Sequence, residues 1–255
     1  YADRFFISQF ASSPNRMLLA VSKTADPLGQ YYTYEFTFSA FPDYPKFGIW
    51  TDGYYFGCNL PGKSDVAVFE RDKMLTGDKT ARMVQKASGL SSGANFIIQP
   101  GEADGELPPL GTPNYMFFFE DDAWGSSSKD VIKVLEFKVD WKTITNSTLA
   151  VSQTIETAPF DAAFTSSWND VPQKGSSQKL DVLAGVTYMR AQYRKWAGYN
   201  SVVFCNVVDV DGTNHAGLRW YELRDKNDGK WSIYQQGTFA PDAESRVHGS
   251  ISMDN

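Results

Sequence analysis

The chain is short of cysteine, histidine, long apolar runs and clustered basic charge, and each shortage removes a class of function. Only Cys58 and Cys205 occur in 255 residues, inside the strand-like runs YYFGCNL and VVFCNVV, with no Cys-x-x-Cys pair or Cys/His cluster near either. Both are expected as buried free thiols. Equivalent places in a repeated fold stand further apart than the ~5.5 Å Cα separation of a disulfide. His215 and His248 are the only histidines, and no Walker loop or His-Glu-x-x-His accompanies them, so nucleotide and zinc-protease chemistry has no local support. No apolar run approaches the roughly 18–20 residues that cross a bilayer, so no membrane insertion is expected. Lys and Arg are scattered through a chain of net charge −6, which leaves no basic stripe for a phosphate backbone and argues against a nucleic-acid partner. Long stretches of Ala, Leu, Glu and Lys at helical spacing are missing too.

What is present favours strands. Aromatic residues make up 15% of the chain, in short runs such as Phe117–Phe119. The clearest stretch is Ser201 to Phe239: three apolar, β-branched and aromatic runs (201–208, 217–223, 231–236) separated by Asp209–His215 and by Asp225–Lys230. Asp-Gly and Asn-Asp-Gly between apolar runs favour hairpins, because positive φ costs Gly, Asn and Asp little.

The same order recurs along the chain. Runs at 4–10, 16–22 and 31–38 form one unit lacking its first strand. Runs at 46–51, 54–60, 65–69 and 80–87 form a second, with a short helical turn at 72–75. A third takes 95–99, 114–120, 130–139 and 148–157, interrupted by the Pro/Gly-rich loop 100–113. After the long surface connection 158–179, the run 180–196 supplies a first strand to the unit already described, and 246–253 begins a fifth. The expected fold is therefore all-β, a β-propeller of four-stranded antiparallel blades. Four to five blades leave a ring open, so the piece is expected to be part of a six- or seven-bladed ring in a larger multidomain chain. A stacked sandwich is the competing arrangement.

Several stretches carry a resemblance. They are Ala2–Phe10 (ADRFFISQF), Phe41–Trp50 (FPDYPKFGIW) with Asp52-Gly53-Tyr54-Tyr55, Ser177–Asp181 (SQKLD), Gly217–Arg224 (GLRWYELR), Tyr234–Ala243 (YQQGTFAPDA), and Arg246 with Gly249–Asp254 (GSISMD). Together they resemble a family of propeller-like repeats of large secreted or cell-surface bacterial proteins, many with a C-terminal sorting domain. That family usually has Arg-Trp-Met-Gly where this chain has Arg246-Val247-His248-Gly249. The resemblance implies export and a surface location, and it brings no activity to transfer.

In a propeller, ligands meet the loops at one mouth of the central channel. The residues just before the first strands are thus the binding candidates: Asp43, Tyr44, Lys46, Asn114, Tyr115, Arg190 and Arg246, with His248 beside the last. If the chain were an enzyme, Asp43 and Asp181 would be the carboxylate pair, since glycoside hydrolysis needs two such groups roughly 5–10 Å apart. The plainer expectation is that each Asp caps a turn. Asp209, Asp211 and Asn214 offer oxygens at the start of a calcium-like loop, but Trp220 stands where an EF-hand needs Glu; apart from that calcium, no cofactor is expected. The function expected is a non-catalytic adhesion or recognition module for a glycan or surface protein. A polysaccharide-active hydrolase or lyase and a structural assembly subunit are the alternatives.

Overall fold

The computed structural model describes residues 2–60, 65–90, 97–165 and 168–254. Its strands are β1 (Phe6–Ser12), β2 (Asn15–Ser22), β3 (Tyr31–Thr37), β4 (Asp43–Ile49), β5 (Tyr54–Asn59), β6 (Val66–Phe69), β7 (Met83–Lys86), β8 (Gln99–Ala103), β9 (Asn114–Glu120), β10 (Val131–Lys138), β11 (Thr148–Glu156), β12 (Ala191–Lys195), β13 (Asn200–Asp209), β14 (Ala216–Asp225) and β15 (Trp231–Phe239). One six-residue helix, α1 (Arg71–Thr76), joins β6 to β7. The fold is all-β in this sense, built from curled sheets.

Strands β1–β3 form one antiparallel sheet and β4–β7 a second, while the third has eight strands in the order β11-β10-β9-β8-β12-β13-β14-β15. The third sheet is two four-strand meanders joined back to back. β8 and β12, the first strand of each meander, run parallel and pair Ala191 with Gly101 and Gln192 with Glu102. This departs from separate blades, because a backbone ladder joins the two meanders at their first strands.

Alternation along the strands explains how the sheets stack. In β2, Met17, Leu19 and Val21 are buried and meet Tyr54, Phe56, Cys58, Ala67 and Phe69 of the second sheet. The intervening residues Tyr55, Val66 and Val68 point the other way and join the main core with Met116, Phe117, Phe137, Phe204 and Tyr221 of the third sheet. The second sheet is thus apolar on both faces because it is covered on both. The far face of β13 and β14, carrying Cys205, Val207 and Ala216, is covered by Val171, Val182, Val186 and Tyr188 of the β11–β12 connection and by Val247 and Ile251. Both cysteines are buried and free.

Three sequence expectations are corrected. The strand expected at 95–99, of which 95 and 96 lie outside the described residues, is found at Gln99–Ala103, inside the expected loop. Pro100 and Gly101 look like loop residues, but the strand needs the glycine: a Cβ on Gly101 would lie 2.7 Å from the Tyr115 carbonyl oxygen. A Cβ on Gly48 would lie 2.4 Å from the Gly101 carbonyl oxygen, and one on Gly57 would lie 2.0 Å from that of Ile98, so the β4–β5 hairpin reaches β8 only as glycine. In the run 180–196 only Ala191–Lys195 is a strand; Leu180 bridges Val171 instead. Finally, 246–253 forms no strand. It crosses the sheet without ladder pairing and bends at His248 (φ 52°), Arg246 N donating to Ala216 O (2.7 Å) and Met253 N to Gln192 Oε1 (2.5 Å).

Candidate functional site

The eight-stranded sheet has two rims, and the cleft lies along one of them. On that rim β8, β10, β12 and β14 end and β9, β11, β13 and β15 begin, as the pairs Lys138–Thr148, Phe137–Asn114, Lys195–Asn200 and Asp225–Trp231 place them. The β8–β9 loop overhangs it, pinned by Trp50 Nε1 donating to Thr112 O (3.0 Å) and Thr51 Oγ1 donating to Pro108 O (2.8 Å). Between that loop and the β14–β15 turn opens a cleft of about 490 Å³, within the usual range for ligand sites. Tyr115, Tyr193, Asn200 and Asp225 line its base, and Glu136, Lys138, Lys195 and Asp228 its edge.

The base is preorganised and incompletely hydrogen-bonded. Asp225 Oδ1 accepts the N–H groups of Asp228 (2.8 Å) and Gly229 (2.9 Å), and Asp225 Oδ2 accepts Asn200 Nδ2 (2.8 Å). That fixes the Asn200 amide and leaves its Oδ1 buried with no partner, although the residue is only 7% exposed. Unpaired buried acceptors are uncommon and invite a ligand donor. The Tyr115 and Tyr193 hydroxyls also lack a protein hydrogen-bond partner among the described residues. Edge-on contacts hold the rings: Trp50 on Tyr193 at 4.8 Å between centroids, Trp231 on Tyr115 at 5.1 Å. Burial, reinforced by Asp225, Glu136 and Asp228, pushes the Tyr115 phenol up to about 12. Burial likewise raises Tyr193, so both remain neutral hydroxyls able to donate and accept.

A second cleft of about 620 Å³ adjoins the first, sharing Leu110, Gly111 and Lys138 with it. Asp52, Asp140, Trp141, Asn146 and Thr148 line it as well, with Val139 and Lys142. Trp141 is fixed by donating Nε1 to Asp52 O (2.8 Å) and by the Arg82 guanidinium 5.5 Å from its ring. Burial lifts the Asp52 carboxyl to about 6, against the lowering effect of its hydrogen bond from Tyr55 Oη (3.1 Å).

Of the residues expected at a channel mouth, only Tyr115 lines this cleft. Asn114 is buried beside it, its Nδ2 donating to Gly101 O (2.8 Å). The two open the second strand of their meander and not the first, which puts them on the opposite rim from the start of β8. Arg190 stands just before β12 and pairs with Glu102 (3.1 Å) and Asp104 (2.9 Å), while Gln192 Nε2 donates to Asp104 Oδ2 (2.5 Å). Burial raises Glu102 against the opposing Arg190 charge; at Asp104 the burial effect is outweighed by Gln192, Arg190 and Arg194, and its carboxyl is lowered. These even-numbered residues form a charged stripe on the face of β8 and β12 away from Ala103, Ala191 and Tyr193, which enter the core.

Asp43, Tyr44 and Lys46 open β4, and Asp181 lies close enough to Tyr44 to act on its phenol. Lys46 Nζ lies 4.5 Å from the Tyr44 ring centroid, burial lowers that amine, and burial together with Asp181 raises the Tyr44 phenol. Asp181 Oδ1 accepts Leu183 N–H (2.8 Å), the turn-capping role. His248 stacks near Tyr188, and Arg246 pairs at the surface with Asp242 (2.6 Å).

The calcium-like loop spends its oxygens internally. Asp209 Oδ1 accepts Gly212 N–H (3.0 Å) and Oδ2 accepts Asn214 N–H (2.8 Å), Asp211 Oδ1 accepts Thr213 N–H (3.0 Å), and Asn214 Oδ1 accepts Thr165 N–H (3.0 Å). Asp121, Asp122 and Asp130, not singled out by sequence, bring carboxylate oxygens within 4.8 Å of one another on the same rim. The oxygens of Asp121 and Asp130 accept N–H groups of Ala123, Ala162, Asp122 and Phe160. One further pattern, Gly-x-Ser-x-Gly at 89–93, puts its serine outside the described residues.

Fold and site together define an all-β protein with a rim cleft of partly unpaired polar groups on an aromatic base. No family model matches the chain, and neither a curated protein nor a solved structure matches it.

Proposed function

We propose that the chain is a non-catalytic recognition module of a secreted or cell-surface protein, which holds a neutral glycan in the rim cleft. The observation that carries this reading is the set of unpartnered groups at the base: two phenol hydroxyls and one buried amide oxygen, converging on a cleft of ligand size. A polyhydroxylated ligand supplies donors and acceptors for all three. The edge carries both signs, Lys138 and Lys195 against Glu136 and Asp228, which favours an uncharged ligand over a phosphate or a uronate. The scaffold reading is a propeller type, with β4, β8 and β12 as inner strands of successive meanders; the second sheet, covered on both faces like a blade between neighbours, supports it, and the β8–β12 ladder is its departure from separate blades. Export rests on the sequence resemblance.

Screening the protein on a glycan array, then measuring affinity by calorimetry, tests the proposal. Removing both hydroxyls with Tyr115→Phe and Tyr193→Phe is expected to weaken binding about tenfold or more, at about 0.5–1.5 kcal/mol for each hydrogen bond. An array without any bound glycan, or a double variant that binds like the parent, sinks it.

A second reading, a polysaccharide-active enzyme, draws on Asp52. A carboxyl that titrates at about 6 beside a cleft suits a general acid. Reducing-end release from polysaccharides, abolished by Asp52→Asn, would favour it over the binding module.

A further inference from the structure

The two clefts share a wall, and their linings follow the sheet in strand order. Asn200 opens β13, Tyr193 lies on β12, Tyr115 opens β9, Lys138 closes β10 and Thr148 opens β11. These positions are consecutive along one rim, with β8 between β12 and β9. Five strand spacings of about 4.8 Å give an arc of roughly 24 Å. A pyranose in a linear chain advances by about one such spacing, so the rim has room for four to five units.

From this we infer that the clefts form one groove that binds a linear, uncharged oligosaccharide of four to five sugar units lying across the strand ends. The inference rests on the glycan reading above and adds the polymer's length and direction. Its first units meet the hydroxyls of Tyr115 and Tyr193 and the free Asn200 oxygen. Its far units lie in the second cleft beside Trp141. That indole is held by Asp52 O on its N–H and by the Arg82 guanidinium near its ring, so it offers a flat apolar surface that loses little freedom when covered. Leu110 stands 82% exposed at the boundary, on a loop whose two ends are pinned. A large exposed aliphatic side chain at the junction of the two clefts is explained if the sugar's apolar ring face passes over it.

The test is calorimetry on the intact protein with cello-, malto-, xylo- and laminari-oligosaccharides of two to six units. In the series that binds, affinity should rise at least tenfold between two and five units and level off by six. Thr148→Trp fills the far cleft from an exposed strand position and should return the five-unit affinity to that of the dimer. Trp141→Ala should act the same way, with its fold checked by circular dichroism. An affinity flat from two units upward, still weakened by Tyr193→Phe, overturns the groove and leaves the single cleft standing. Binding of no oligosaccharide at any length overturns both readings.

Discussion

The two rims of the eight-stranded sheet are made from the same strands, yet they are finished in opposite ways. On the rim where β8 and β12 begin, the turn residues are spent on the fold, although buried Gln99 Oε1, Glu120 Oε2 and His215 Nε2 stand there without a partner. Tyr188 donates its hydroxyl to Val182 O (2.5 Å), Asp209 and Asp211 hold their own turn, and Asp121 and Asp130 accept backbone N–H groups. The segment 171–188 lies over the adjoining sheet face and closes it with apolar side chains. On the rim where β8 and β12 end, Asp225 orders a turn in the same manner, but Tyr115, Tyr193 and Asn200 keep free valences toward an open cleft. Both rims hold unpartnered polar atoms, and what separates them is access: only on the second do several line one open cleft, where a ligand reaches them.

The largest expected effect tests the packing that holds both rims in place. Gly57→Ala puts a Cβ 2.0 Å from the Ile98 carbonyl oxygen, a backbone atom that cannot swing aside. Urea unfolding should show a loss of about 3 kcal/mol or more; an unchanged midpoint would mean that the second and third sheets do not meet as described.

Next comes the charge at the open rim. The Asp52 carboxyl titrates at about 6 in the folded protein against an ordinary value of 3.8, so the folded chain holds its proton to higher pH than the unfolded chain does. Stability therefore falls as pH rises from about 4 to about 6, losing at most about 1.4 kcal/mol for each pH unit crossed, and the penalty is complete above that. Asp52→Asn should remove it, raising Tm at pH 8 by the equivalent of about 2 kcal/mol and leaving Tm unchanged at about pH 3.5. A gain equal at both pH values would refute the assignment.

The sharpest form of the comparison is one substitution made at each rim. Tyr188→Phe strands a buried carbonyl oxygen at the closed rim and should cost about 1–2 kcal/mol in denaturant unfolding. Tyr193→Phe removes a hydroxyl that bonds no described protein group, so it should change stability by less than about 0.5 kcal/mol while weakening glycan binding. Equal stability losses from the two would erase the distinction between the rims.

Most strands were legible because their signals are local. Alternation in β2 and β3 and the Asp-Gly and Asn-Asp-Gly turns flanking β14 predict elements close to those observed. β8 was not, since Gln-Pro-Gly-Glu-Ala has neither β-branched residues nor alternation; its strand character comes from β12 on one side and the close approach of Gly48 on the other. The cleft was still less visible. Tyr193 and Asn200 carry the pattern of ordinary strand residues, and Tyr115 reaches the cleft from the second strand of its meander, where the sequence expects it ahead of a first strand.

Composition and periodicity by themselves determined that the chain is built of short antiparallel strands, because pleat alternation and turn chemistry act over a few residues. Tertiary structure alone decided that two meanders fuse through a parallel ladder, and which rim opens its unpaired polar groups to a cleft. Those outcomes depend on contacts between residues far apart in the chain, such as Gly101 with Ala191, and on which hydroxyls happen to find a backbone partner once the sheets have packed.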